Sequence, residues 1–170
     1  MVKSLSIPAD EMEKSEWRAL KARAIAALQE AIASKGKRPE DYDYIDLRPT
    51  DIGFSNDYFT HTYSSANAFE EITSQTLGDD TFIVIYALYN SSPSPLTTKV
   101  RFWKGSVPIK EYYLQDMYIE DTPKKALDEP LVWAESDVLK IEGYAKATGT
   151  DELGFKGIIA LPKGRVLGQK

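Results

Sequence analysis

His61 is the only histidine of the 170-residue chain, and the chain contains no cysteine. A Ser-His-Asp arrangement or a histidine-based metal site would therefore depend on this single residue. Its neighbours, Phe59-Thr-His-Thr-Tyr63, alternate like one face of a strand, which favours a structural histidine over a general base. The HExxH, GxSxG, GxGxxG and P-loop motifs are also absent. These observations argue against the common hydrolase, NTPase and dinucleotide-binding classes.

Carboxylates are the remaining side chains with acid and base chemistry. Glycoside hydrolases need two of them facing one cleft. The candidates are Glu70, Glu71, Asp116, Glu120 and Asp121. Residues 41–162 contain twenty Asp and Glu, so carboxylate pairs arise there by chance. A carboxylate-based glycan hydrolase is therefore only the third functional hypothesis.

Acidic residues cluster in Asp41-Tyr-Asp43-Tyr-Ile-Asp46 and in Asp79-Asp80. Calcium prefers such groups of oxygen ligands, but neither cluster has the spacing or the glycine of an EF-hand. We interpret both as solvated loop acids. The sequence thus predicts no catalytic residue, no metal and no cofactor, and we expect the chain not to be an enzyme.

Aromatic residues are the other conspicuous group, with ten Tyr and three Trp. Tyrosine combines a large contact area with a hydroxyl group, which suits protein interfaces, sugar-stacking platforms and the edges of a core. Trp103 and Trp133 lie in alternating runs and are predicted to be core residues. The residues predicted to make subunit contacts are Trp17, Leu20, Leu28, Ile32, Tyr42, Tyr44, Tyr58, Tyr112 and Tyr113.

The net charge of −5 is unevenly distributed. Residues 41–162 carry ten Lys or Arg against twenty Asp or Glu, whereas residues 163–170 carry three basic residues and no acidic one. An acidic body argues against nucleic-acid binding, except through the basic ends of the chain. No apolar run approaches the length of a membrane-spanning helix, so we expect no membrane insertion.

One amphipathic helix is predicted within residues 15–35. At the helical period, Trp17, Leu20, Leu28 and Ile32 fall on one apolar arc with several alanines. Gly36 is the expected C′ residue, and Pro39 prevents the helix from continuing. Either Ser6 or Ser15 is expected to be the N-cap. The arc must pack on the chain's own sheet, which we favour, or on a neighbouring subunit as an exchanged arm.

After Pro39 the period changes to that of strands. Short β-type runs recur between turn clusters, for example Val100 and Phe102 alternating with Lys99 and Arg101. The runs are Tyr44–Arg48, Tyr58–Tyr63, Thr81–Tyr89, Thr97–Trp103, Val107–Tyr113, Met117–Glu120, Leu131–Trp133, Val138–Ala147 and Phe155–Leu161. Residues 69–77 fit a short helix or another strand.

This pattern predicts a mainly β fold, an antiparallel β-sandwich with one N-terminal amphipathic α-helix. Around eight strands would also allow a jelly roll. We predict a single domain, with a helical segment at 1–36, the β-sandwich at 40–162 and a basic tail at 163–170.

Residues 130–164 contain Pro-Leu-Val-Trp133, Val138-Leu-Lys-Ile-Glu-Gly-Tyr144, Thr148-Gly-Thr-Asp151 and Phe155-Lys-Gly157. This stretch, about a fifth of the chain, resembles strand pairs of small β-sandwich proteins of virus and phage particles. The resemblance implies a capsid or decoration subunit, which works through contact area and not through catalysis.

The leading hypothesis is therefore a non-enzymatic structural protein that assembles with copies of itself or with other structural subunits. Its expected location is the virion if the source is viral, and otherwise the soluble cytoplasm. The alternative is a carbohydrate-binding β-sandwich module, which would use the same aromatic residues as stacking platforms.

Overall fold

The computed structural model of the chain describes residues 9–119 and 123–165, with side chains from residue 14 onward. These residues form ten strands, one α-helix and three short 3-10 helices. The helix α1 spans Ala9–Ser34. The strands are β1 (Tyr42–Asp46), β2 (His61–Tyr63), β3 (Phe69–Thr76), β4 (Phe82–Asn90), β5 (Thr97–Lys104), β6 (Val107–Tyr113), β7 (Lys124–Trp133), β8 (Val138–Ala145), β9 (Gly149–Asp151) and β10 (Leu153–Pro162).

The strands form two four-stranded antiparallel sheets. The first sheet has the order β1-β10-β4-β7 and the second has the order β3-β8-β5-β6, while β2 and β9 form a separate short ribbon. Consecutive strands repeatedly change sheet, and this strand order is that of a jelly roll. The prediction of an antiparallel β-sandwich with an N-terminal helix is confirmed.

The main core lies between the two sheets, because their strands alternate apolar residues toward each other. Phe102 and Ile141 of the second sheet are fully buried, as are Ile83 and Trp133 of the first. The Trp133 Nε1 donates to the carbonyl of Trp103 at 2.9 Å, so its one polar group is satisfied. Trp133 is therefore a core residue, as predicted.

A second core lies on the opposite face of the first sheet, beneath the helix. Ala24, Leu28 and Ile32 of α1 are fully buried there, together with Phe82 and Val84 of β4. The predicted apolar arc thus packs on the chain's own sheet. Trp17 and Leu20 are half-buried at the margin of the same cluster.

The helix ends as the sequence predicts. Gly36 has a φ of 74°, in the left-handed region that favours glycine, and the Lys37 amide donates to the Ile32 carbonyl at 3.2 Å. This 6→1 bond is characteristic of a Schellman motif. The helix begins before Ser15, so the prediction of Ser15 as N-cap is wrong, and the alternative, Ser6, lies outside the described residues.

Ion pairs hold the helix to the sandwich at two places. The Lys37 ammonium contacts the carboxylates of Asp80 and Glu135, the latter at 2.6 Å. Nearer the start of the helix, Lys21 pairs with Asp46 of β1 at 2.9 Å. The hydrogen bonds from Lys37 hold the pKa values of both Asp80 and Glu135 below their ordinary range.

Three local predictions need correction or completion. The run at Met117–Glu120 is not a strand, because Gln115–Ile119 forms a 3-10 helix, in which Met117 is buried and Tyr118 packs against the main core. Residues 149–151, which belong to none of the predicted β-type runs, form strand β9, which pairs with β2. Residues 69–76 form a strand, which decides between the two alternatives left open for that segment.

The ends of the chain are only partly described. Of the predicted basic tail 163–170, the structure describes residues 163–165, and the predicted division into segments stays a prediction. Within the described residues, the one long helix is too polar to cross a membrane.

Replacing Leu28 tests the packing of the helix on its own sheet. We expect Leu28→Ala to lower the free energy of unfolding by about 2–5 kcal/mol, because it leaves a cavity in the second core. Glu30→Ala, on the exposed side of the same helix, should change it by less than about 0.5 kcal/mol. Urea denaturation followed by circular dichroism measures both, and equal stability of the two variants would contradict the packing.

Replacing Lys37 tests the ion pairs at the end of the helix. The carboxyls of Asp80 and Glu135 have lowered pKa values in the folded chain, so their stabilisation is present at neutral pH and is lost as the pH falls below the ordinary values of 3.8 and 4.5. We expect Lys37→Met to be less stable than the wild type at pH 7, with the difference shrinking below about pH 4. Lys35→Met, in the same turn but exposed, serves as the control. A difference independent of pH would contradict this role of Lys37.

Candidate interaction face

The outer face of the second sheet lies away from the helix, which packs on β4, β7 and β10 of the first sheet. Strand alternation places Lys99, Arg101 and Trp103 of β5 on it, between Glu142 and Tyr144 of β8 on one side and residues of β6 on the other. Phe69, Glu71, Glu111, Tyr113 and Lys140 complete this surface, which we call the open face.

Cations of the open face lie against its aromatic rings. The Lys99 ammonium is 4.6 Å from the centre of the Tyr144 ring, and the Arg101 guanidinium is 3.8 Å from that of Phe69. The Lys140 ammonium is 4.4 Å from the Trp103 ring. Because cation–π contacts of this kind order both partners, the aromatic side chains are held in place before any partner binds.

Carboxylates complete the network of the open face. Arg101 pairs with Glu111 at 3.1 Å and with Glu142 at 3.8 Å, while Trp103 donates its indole N–H to Glu142. The three basic residues Lys99, Arg101 and Lys140 thus face the three acidic residues Glu71, Glu111 and Glu142. Basic and acidic groups balance across the face.

The structure separates the predicted contact residues into three groups. Leu28, Ile32, Tyr42 and Tyr112 are buried in the chain's own cores, and Trp17, Leu20 and Tyr44 are half-buried along the helix. Only Tyr58 and Tyr113 are strongly exposed, by 62% and 61%. That these nine residues contact a neighbouring subunit stays a prediction. The four buried side chains are not accessible to a neighbour in the folded chain.

The hydroxyl groups explain why several tyrosines at the edges of the core lie inward. Tyr42 donates to Asp80 at 3.1 Å, Tyr44 to the Pro39 carbonyl at 2.8 Å and Tyr112 to Asp128 at 2.7 Å. Burial and the hydrogen bond to Asp128 raise the pKa of Tyr112 above its ordinary value. Each hydroxyl therefore has a partner within the chain.

Trp103 is a residue of the open face that the sequence prediction missed. It was predicted to be core, but it is half-exposed on the open face, so that prediction is wrong. In β5, Trp103 lies two residues after Arg101 and four after Lys99, so all three side chains point to the same face of the sheet. This spacing is the sequence signal that predicts an outward-facing Trp103.

His61 occupies a structural position at one end of the sandwich. Its ring packs edge-on against Tyr63, with the ring centres 4.6 Å apart, and its Nε2 is 3.9 Å from Glu70. Burial lowers the pKa of His61, and the nearby Glu70 carboxylate opposes this shift only in part. Ser64 donates its hydroxyl to Glu70 at 2.7 Å and not to the histidine.

Next to His61, the buried carboxylate of Asp151 organises the loops that enter β5 and β10. Asp151 is 1% exposed and accepts hydrogen bonds from the Thr97 hydroxyl at 2.6 Å, the Thr97 amide at 2.9 Å and the Asn90 amide group at 3.1 Å. The Leu96 amide adds a bond at 3.2 Å. A buried carboxylate with this many donors is a structural anchor.

The other carboxylates proposed for hydrolysis are dispersed or outside the described residues. Asp116 pairs with Lys125 at 2.8 Å at the surface, and Glu71 lies on the open face. Glu120 and Asp121 lie outside the described residues. Within the described part of the chain, no group of three or more His, Asp or Glu side chains is placed to hold a metal ion.

Comparisons with known proteins concern the fold alone. No protein-family model matches the chain, and no curated protein matches it. The VP2 subviral particle of infectious bursal disease virus is 10% identical, with a TM-score of 0.39, over 72% of this chain and 33% of that one. The chain thus spans about a third of that protein.

Two smaller proteins match over nearly their full length. The CBM36-1 domain of a xylanase from the hindgut metagenome of Trinervitermes trinervoides is 10% identical, with a TM-score of 0.36, over 72% of this chain and 99% of that one. The C-terminal CBM6 of LamC from Zobellia galactanivorans is 7% identical, with a TM-score of 0.34, over 70% and 99%. The weak resemblance to β-sandwich proteins of virus particles is confirmed, and carbohydrate-binding modules occur beside them.

Replacing Asp151 tests its role as an anchor. We expect Asp151→Ala to lower the free energy of unfolding by about 3 kcal/mol or more, because each buried donor left without an acceptor costs about 1–3 kcal/mol. Asp116→Ala removes a carboxylate from an exposed ion pair and should cost less than about 1 kcal/mol. Thermal and urea unfolding compare the two variants, and a mild effect at Asp151 would contradict its role.

Proposed function

We propose that the chain is a non-enzymatic structural subunit that associates with further copies of itself through the open face. The single observation that carries the proposal is the composition and order of this face. Arg, Trp and Tyr are the residues most enriched where protein interfaces gain their binding energy, and the face presents Arg101, Trp103, Tyr113 and Tyr144 together.

The charge pattern supports a second copy of the chain as the partner. A two-fold symmetric contact brings the same patch of each subunit together, so the patch must complement itself. The open face carries Lys99 and Arg101 on its central strand and Glu111 and Glu142 on the strands beside it. A shift of one copy against the other therefore brings opposite charges together.

The arrangement of the rings favours protein contact over sugar stacking on this face. A sugar ring needs the flat side of an aromatic ring, whereas Phe69, Trp103 and Tyr144 each have a cation of the chain 3.8–4.6 Å from the ring centre. A sugar ring could stack on these aromatic rings only by displacing the cations, which would break favourable cation–π contacts.

The finer assignment, a capsid or decoration subunit of a virion, is part of the same proposal. It rests on the resemblance of residues 130–164 to strand pairs of particle proteins. Its location would then be the virion. The chain needs no catalytic residue for this role, and the dispersed carboxylates described above are compatible with it.

Light scattering after size-exclusion chromatography tests the proposal across protein concentrations. We expect the mass of the wild type to rise with concentration, and Tyr113→Ala to weaken association by about fivefold or more, as for a truncated interface aromatic. Tyr58→Ala, with the same exposure but away from the open face, is the matched control. The interface should bury on the order of 1,000 Å² or more.

A wild type that stays monomeric at every concentration would overturn the proposal. Association weakened by Tyr58→Ala but not by Tyr113→Ala would place the contact on another surface, and would likewise contradict it.

A further inference from the structure

Two adjoining clefts lie on the side of the sandwich away from the open face. Each has a volume of about 410 Å³, and both are lined by Asp46, Leu47, Phe59 and Tyr89, so they form one continuous groove. Small-molecule sites span roughly 300–1,000 Å³. We call this surface, which runs beside the helix along the outer face of the first sheet, the Tyr89 groove.

The floor of the groove is an aromatic ring held in a fixed position. Tyr89 of β4 pairs with Gly154 of β10, and its ring lies over that glycine, so that a side chain at position 154 would overlap it. The edge of the ring packs on Phe59, with the ring centres 6.3 Å apart and the planes at 80°. Phe59 packs in turn on the buried Phe155 at 5.6 Å.

The Lys156 ammonium lies near the Tyr89 ring, but at a greater distance than the cations that cover Phe69, Trp103 and Tyr144 on the open face. This ammonium is 5.6 Å from the Tyr89 ring centre and 5.5 Å from that of Trp17. Lys156 is itself exposed, and Tyr89 also lines a third cleft next to Ser91 and Ser92. The ring therefore borders open space on more than one side.

The walls of the groove are polar and electrically balanced. The basic residues Lys21, Arg48 and Lys156 line it together with the acidic residues Asp46, Asp57 and Glu152. Tyr58 adds a second aromatic ring at one end and is 62% exposed. The lining thus combines donors, acceptors and aromatic rings, and neither sign of charge dominates.

We infer that the Tyr89 groove binds a neutral saccharide chain. Sugar hydroxyls both donate and accept hydrogen bonds, which matches walls that offer ammonium, hydroxyl and carboxylate groups. The apolar face of a sugar ring packs on an aromatic ring such as Tyr89. The balanced charge disfavours a polyanion, and the two adjoining clefts offer room for a chain longer than one sugar. This function is independent of association through the open face.

Isothermal titration calorimetry of the full chain tests the inference, with cellohexaose, xylohexaose, laminarihexaose, mannohexaose and maltohexaose as probes. We expect saturable binding of at least one hexasaccharide, weakened on the order of tenfold by Tyr89→Ala and by Tyr58→Ala. Tyr58→Ala removes an exposed side chain, so it keeps the test valid if Tyr89→Ala impairs folding. Tyr113→Ala, which is equally exposed but on the open face, should bind as the wild type does.

No binding of any of the five probes at millimolar concentration would overturn the inference. Binding that survives both groove variants but is lost in Tyr113→Ala would place the sugar on the open face, and would also overturn it. Sugar binding is measured by calorimetry and self-association by light scattering. Failure of the sugar-binding inference is therefore distinguishable from failure of the proposed association through the open face.

Discussion

The first sheet must be covered on both faces, and the rest of the structure depends on this requirement. From Phe82 to Leu88, strand β4 is buried at every position, and its neighbour β10 is nearly so. An alternating strand would need only one apolar partner, whereas this sheet needs two. The second sheet supplies one cover and the helix supplies the other. Each large apolar side chain buried in this way stabilises the fold by roughly 1.5–3 kcal/mol, so the helix is an essential layer of the domain.

The same requirement makes the two outer surfaces of the sandwich unequal. The outer face of the first sheet is mostly used by α1, and what remains uncovered beside the helix is the Tyr89 groove. The second sheet alternates in β5 and β8, so its outer face stays available. There the half-buried rings of Phe69, Trp103 and Tyr144 are held by cation–π contacts, and a surface ordered in advance loses less side-chain entropy when it binds.

Periodicity in the sequence was sufficient to predict the helix, its Gly36 terminus and most strands. It could not predict which face each strand buries, because alternation separates two sets of side chains without saying which set meets the core. In β6 the adjacent Tyr112 and Tyr113 must point to opposite faces, yet both were predicted to be contact residues. In β1, Tyr42 and Tyr44 share one face, and the helix covers that face.

Contacts between residues that are far apart along the chain were not predicted from the sequence. Lys37 is 98 residues from Glu135, and Asn90 is 61 residues from Asp151, so neither contact leaves a local pattern. Gly154, which leaves room for the Tyr89 ring, is likewise distant from Tyr89 along the chain and lies in another strand. Such contacts arise only when strand order and register are known.

The positions of the two candidate surfaces have a consequence for how they can act together. The open face and the Tyr89 groove lie on opposite sheets, separated by the core around Phe102 and Phe155. A neighbour seated on the open face would therefore leave the groove accessible. In an assembly with two-fold contacts, the two grooves would point outward from opposite sides, each with its ring still held by Gly154 and Phe59. If the groove binds sugar as inferred, several such sites in one assembly would bind a polymeric glycan more tightly than one site does, because the second contact becomes intramolecular.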